Sequence, residues 1–301
     1  MILKTGRSVR VAAAAALAAV AVSACGGPTE PKPWPTATDN PSPVAAKVAE
    51  KSGEGSTPPV ASIKWQDVSG EVDLPRDTEG AQYGLDPKPG VAFGFYDAAG
   101  DHQLCTLGAA IDGGFLTAGH CTAALRPTPV ELSRDQDAYM SEQVAFGTVT
   151  GAADDGVGVD SAVIRGVTVP DAAIRIAGRY PVAGVLTPAA VRTLPEGTPI
   201  CIDGAKSGLV CSSLRFAPFD GYITTTSVSR KGDSGSAVFV VDPENRALLI
   251  GITSGGSTDK TDGYTTYLEP ALRRLGAKAL IDKDASATFT GPEFSTLVTV
   301  R

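Results

Sequence analysis

Gln103-Leu104-Cys105-Thr106-Leu107-Gly108-Ala109-Ala110-Ile111, then Asp112-Gly113-Gly114, then Phe115-Leu116-Thr117, is the stretch whose reading decides the fold class. An apolar run, a turn cluster and a second apolar run make a β-hairpin. The same alternation of short apolar runs and turns fills the chain from Gly90 onward. Val91–Tyr96 precedes the turn Asp97-Ala98-Ala99-Gly100. Further strands are expected at Gln143–Val149, Ser161–Val167, Pro199–Asp203, Gly208–Leu214, Tyr222–Thr226, Ser236–Val241 and Leu248–Ser254. Long helical periodicity is scarce and there is no internal repeat, so the pattern is that of an all-β barrel or sandwich. One helix is expected where Leu268, Leu272 and Leu275 fall at i, i+4 and i+7, with Arg273, Arg274 and Lys278 on the polar side.

The hairpin runs into Thr117-Ala118-Gly119-His120-Cys121, which places a histidine just past a strand end. Far along the chain, Gly232-Asp233-Ser234-Gly235-Ser236 presents a serine on a Gly-flanked turn. A serine hydroxyl at its ordinary pKa is a weak nucleophile and needs a neighbouring base and donors for the developing oxyanion. His120 supplies the first, and the turn's backbone N–H groups, Gly232 and Ser234, the second. Glycine at 232 lets the backbone approach a substrate carbonyl without a Cβ in the way. Asp160 precedes the apolar run Ala162-Val163-Ile164 and would orient the imidazole; Asp154 and Asp155 sit nearby in a Gly-rich loop. The second histidine, His102, reads as a solvated loop tip without a role.

The order His, Asp, Ser and the two strings resemble the chymotrypsin-type serine peptidases, within them the bacterial streptogrisin and α-lytic-like branch. The resemblance covers about residues 90–280. It implies two six-stranded antiparallel β-barrels of the trypsin-like fold with a C-terminal helix, and a site in the cleft between them. It further implies a serine endopeptidase with catalytic His120, Asp160 and Ser234, an acyl-enzyme, and no metal or organic cofactor. Ser254-Gly255-Gly256 resembles the strand that pairs with substrate, though a Gly-rich loop after a buried strand reads the same way. Local disulfides of the bacterial relatives imply the pairs Cys105–Cys121 and Cys201–Cys211. The alternative is a catalytically inactive protein of the same fold that binds peptides or proteins of the cell envelope.

The chain departs from this family in several places. The second motif ends in Ser236, not glycine. Bacterial relatives often place an arginine beside the first cysteine of the 201–211 loop to pair with the Asp of the serine motif; here that position is Ile202, so Asp233 lacks its expected partner. A third disulfide is missing, with Arg230 and Thr258 near where its cysteines would stand. Val228 replaces the acid of trypsin-like members, and Thr253 the histidine of glutamate-specific ones. Both point to a small or apolar residue donating the scissile carbonyl, while Lys231 would favour an acidic neighbour.

At 301 residues the chain has room for more than one domain, yet the first 85 are poorly suited to a core. Residues 1–24 read as a secretory leader: Lys4, Arg7 and Arg10, an apolar run from Val11 to Val22 too short for a comfortable span, then small residues. The leader ends Val22-Ser23-Ala24-Cys25, which resembles the bacterial lipobox. Cleavage after Ala24 without lipid is the other reading, and would give a secreted protein. Five cysteines leave one over from two pairs, and lipid on Cys25 would account for it. Residues 25–59 carry eight prolines and form a disordered tether. Residues 60–85, with Ile63, Trp65, Val68, Val72 and Leu74, are an N-terminal extension, either a strand or a propeptide-like segment. Residues 86–282 are the peptidase-like domain and 283–301 a tail with a strand at Ser295–Val300. The expected partners are a protein or peptide substrate and, through Cys25, the outer face of a bacterial membrane, with the chain a monomer. A net charge of −7 argues against nucleic acid.

Overall fold

In the computed structural model, the described residues are 58–72, 81–135, 137 and 141–301. The leader, Cys25, the tether and Leu74 lie outside them. The first strands are β1 (Ala92–Tyr96), β2 (His102–Thr106), β3 (Ala110–Ile111), β4 (Gly114–Thr117), β5 (Thr128–Ser133), β6 (Gln143–Asp154) and β7 (Asp160–Arg165). Next come β8 (Arg175–Ile176), β9 (Tyr180–Val185), helix α1 (Pro188–Val191), β10 (Pro199–Gly204), β11 (Gly208–Phe216) and β12 (Ile223–Thr226). The chain ends with β13 (Ala237–Val241), β14 (Ala247–Gly256), β15 (Asp262–Tyr267), α2 (Leu268–Leu275), β16 (Ala279–Ile281), α3 (Lys283–Ser286) and β17 (Val298–Val300).

The opening hairpin forms as β3 and β4, with Ala110 opposite Phe115. It belongs to a nine-stranded sheet ordered β17-β16-β3-β4-β7-β6-β5-β1-β2. Where the chain leaves β2, Gly108 N–H donates to Leu116 O and Leu116 N–H to Ala109 O, curling the sheet back toward β4. Phe93, Leu107, Phe115, Val130, Val149 and Ile164 fill its interior. The second sheet closes outright: β13-β10-β11-β12-β15-β14 is a six-stranded antiparallel barrel completed by the β13–β14 pair. Its core holds Ile200, Ile202, Leu214, Ile223, Val238 and Ile250. A third apolar cluster joins the two, with Leu116 and Val163 from the first sheet against Phe239, Leu249 and Ile252 from the second. Burial of these side chains, each worth about 1.5–3 kcal/mol, fixes the two halves against one another.

Helix α2 forms where the leucine spacing expects it: Leu268 and Leu272 are buried and Leu275 packs beside them. It stops at Gly276, a left-handed cap (φ 58°). The C-terminal tail differs from its expectation. Its strand is β17, three residues rather than six, and lies parallel to β16. The short helix α3, whose cap Asp282 accepts from Asp284 and Ala285 N–H, was not anticipated. Residues 58–72 form an arm on the second barrel rather than a strand: Val60, Trp65 and Val68 are buried, and Gln66 N–H donates to Val241 O (2.8 Å) in a lone bridge.

Candidate active site

The two motifs meet through the first sheet. Thr106, the last residue of β2, receives the serine turn with its backbone and its side chain: its N–H donates to Ser234 O (2.8 Å) and its hydroxyl to Gly232 O (2.7 Å). Its neighbour Cys105 is disulfide-bonded to Cys121, the residue after His120. The turn also packs directly on the histidine string. A Cβ on Gly235 (φ 90°) would lie 2.2 Å from Thr117 Oγ1, so only glycine allows the approach. Gly119 is needed for a similar reason, because a Cβ there would meet Ala153 O of β6 at 2.0 Å.

Asp160 opens β7 and is buried. Its Oδ2 lies 2.7 Å from His120 Nδ1 and its Oδ1 accepts the His120 backbone N–H (3.0 Å). Asp160 N–H donates to Thr266 Oγ1, which is 3.0 Å from Ser254 Oγ, so a chain of hydroxyls from the second barrel braces the carboxylate's strand. Burial disfavours the charged imidazole, but the Asp160 hydrogen bond and charge, with the charge of Asp154, outweigh it and raise the His120 pKa. Asp154 closes β6 directly opposite Asp160 in the ladder. Asp155 does other work: its Oδ1 accepts from Val157, Gly158 and Val159 N–H and organises the loop, and these bonds lower its pKa.

Ser234 is half-buried on its turn. Asp233 N–H donates to Arg230 O, Gly235 N–H to Thr253 O and Ser236 N–H to Asp233 O. Among the described residues, the N–H groups of Gly232 and Ser234 donate to no protein acceptor. The missing partner of Asp233 is the β10–β11 turn. Asp233 is fully buried; Oδ1 accepts Lys206 N–H (2.8 Å) and Ser207 N–H (2.9 Å), and Oδ2 accepts Ser207 Oγ (2.6 Å) and Arg230 N–H (2.6 Å). Four donors replace the arginine, and Ile202 is free to serve the core. Nothing in the residues Gly204-Ala205-Lys206-Ser207-Gly208 marks this role except a hydroxyl within a tight turn.

Ser254, Gly255 and Gly256 end β14, paired with β15 on one side. The β13 ladder stops at Ile252, so among the described residues no strand covers their other edge. Below them lies a cavity of about 20 Å³, lined by Val228, Ser229, Thr253, Gly255 and Tyr264 among others. That is space for about one water. Lys231 is exposed. The second disulfide, Cys201–Cys211, joins directly opposed residues of β10 and β11. His102 is a strand residue rather than a loop tip: it opens β2, half-buried, edge-on to Tyr96 and 2.8 Å from Gln143 Nε2. Among the described residues two groups bring metal-binding donor types together, but the sulfurs of Cys105 and Cys121 are spent on one another, and in the group His120, Asp154 and Asp160 the imidazole Nδ1 already bonds Asp160.

No family model matches the chain. Over 190 residues it is 30% identical to streptogrisin-D of Streptomyces griseus, a match that takes in 59% of this chain and 44% of that protein. The chain thus spans less than half the length of this curated relative. Among solved structures, a chymotrypsin of Cellulomonas bogoriensis is 26% identical with a TM-score of 0.44, covering 64% of this chain and 97% of that one. A Nocardiopsis protease is 20% identical with a TM-score of 0.43 and the same coverage. Among the described residues no helix is long and apolar enough to cross a membrane.

Proposed function

We propose that the chain is a serine endopeptidase of the chymotrypsin-like type, exported and held at the outer face of a bacterial membrane by lipid on Cys25. The observation that carries the reading is the junction at Thr106. A strand that grips the Ser234 turn by two hydrogen bonds is riveted one residue away to the turn of His120, which Asp160 meets at 2.7 Å. In the reaction, Ser234 Oγ attacks the substrate carbonyl carbon while His120 takes its proton. Asp160 fixes the imidazole tautomer and stabilises the imidazolium. Gly232 and Ser234 N–H groups receive the oxyanion. His120 then returns the proton to the leaving amine, and water hydrolyses the acyl-enzyme by the same route. The substrate strand adds to the open edge of Ser254–Gly256. The shallow cavity beside Val228 and Gly255 selects a small side chain on the residue that donates the scissile carbonyl.

An unsupported Asp233 would favour the non-catalytic reading; four hydrogen bonds hold that carboxylate. A fluorophosphonate probe tests the enzyme. The folded full chain should be labelled and Ser234→Ala should not; a folded wild type that stays unlabelled ends the proposal.

A further inference from the structure

On the far side of His120 the cleft opens into a pocket of about 490 Å³, lined by His120, Asp154, Tyr222, Gly256 and Tyr264 among others. Tyr222 and Tyr264 are half-buried and stack with ring centroids 5.6 Å apart and planes 19° apart, which makes a flat apolar floor. Asp154 stands exposed beside it. One of its oxygens, a ring nitrogen of His120 and an oxygen of Asp160 all lie within 4.8 Å of one another. Asp160 is committed to His120, whereas Asp154 is shown holding only the Gly156 N–H of its own loop. Among the described residues no lysine or arginine lines the pocket. The Tyr222 phenol is pushed up to about 12 by burial, with the charges of Asp160, Asp154 and Asp155 adding to it, so the floor is neutral under a negative field.

Strand geometry says which substrate residue arrives here. Successive side chains of an extended peptide point to opposite faces. If the residue donating the scissile carbonyl turns into the small cavity beside Val228, the residue before it turns the other way, toward His120, Asp154 and Tyr222, with Tyr264 lining both spaces. A long cation suits that place. Its alkyl stem covers the rings, its charge meets their faces, and its head reaches Asp154.

We propose that this pocket selects a lysine or arginine as the substrate residue immediately preceding the one that donates the scissile carbonyl. The inference rests on the peptidase reading and names its substrate class. Its test compares peptides identical except for lysine, norleucine or glutamate at that position, cleaved by the full chain. Lysine should exceed norleucine about tenfold in kcat/KM, mostly through KM, with glutamate worse than either. The ratio should shrink as salt rises. Asp154→Asn should cut it to about twofold, and Asp154→Glu should keep most of it. Because each ratio is read within one protein, a general loss of rate in a variant cancels. Equal cleavage of the lysine and norleucine peptides by wild type, or a ratio untouched by Asp154→Asn, overturns the proposal. Binding of the same peptides to Ser234→Ala, followed by fluorescence anisotropy, separates the two claims. A lysine preference there without cleavage by wild type would uphold the pocket and sink the peptidase reading. Equal binding would sink the pocket whatever wild type cleaves.

Discussion

Two carboxylates, not one, set the proton affinity of His120. Burial works against the imidazolium, yet the hydrogen bond and charge of Asp160 and the charge of Asp154 together raise its pKa. A general base must be neutral, so kcat/KM should climb with pH through a midpoint above that of a free imidazole. Asp154→Asn removes one of the raising charges, and its profile should climb at lower pH; an unmoved midpoint would show that this charge does not reach the ring. The linkage has the matching sign. Stability contributed by the protonated pair is complete below the unfolded value and is lost as pH rises through the raised one. Asp233 is the other residue on which the site depends. Asp233 is met by three backbone N–H groups and one hydroxyl, so in Asp233→Asn the amide N–H₂ faces at least one backbone N–H and leaves a buried donor unmet at about 1–3 kcal/mol. If the turn shifts, the Gly232 and Ser234 donors shift with it, at a cost of about 10²–10³ in kcat. Unchanged kcat in a folded Asp233→Asn would show that this carboxylate does not shape the turn.

The braces between elements matter as much as the site residues they hold. Arg274, on the last turn of α2, donates to Gly151 O (2.7 Å), Ser161 O (2.5 Å) and Ser161 Oγ (2.7 Å), tying the helix to the strand that begins at Asp160. Arg274→Ala should cost about 1–2 kcal/mol, since water competes for these partly exposed bonds. Thermal unfolding should show it as a fall of about 2–8 °C, and no change would mean the helix is held by its leucines alone. The helix itself was legible because leucine spacing and a terminal glycine are local signals. Strand β5 was not, because Pro129 speaks against a strand; it survives there because β1 pairs only beyond it, at Glu131. Strand β15 was hidden by its composition. Its threonines are buried between β12 and β14, so tertiary pairing overrides a polar sequence.

At the scale of the molecule, the cluster of Leu116 and Val163 with Phe239 and Ile252 turns two sheets into one cleft. Such a cluster has no signature along the chain. The motifs at His120 and Ser234 could be read because their chemistry is local, while Asp154, Tyr222 and Tyr264 come from three separate places and become a pocket only when both sheets are folded. Cys25→Ala should move the protein from the membrane fraction to the medium, and retention at the membrane would rule lipid at Cys25 out. The rivet between Cys105 and Cys121 spans 16 residues, a loop whose closure is worth roughly 3 kcal/mol. It also joins the strand under the Ser234 turn to the turn of His120. If the chain is exported as proposed, that link stays open in the thiol-rich cytosol, and the two halves of the proposed site are joined covalently only once the chain has left it.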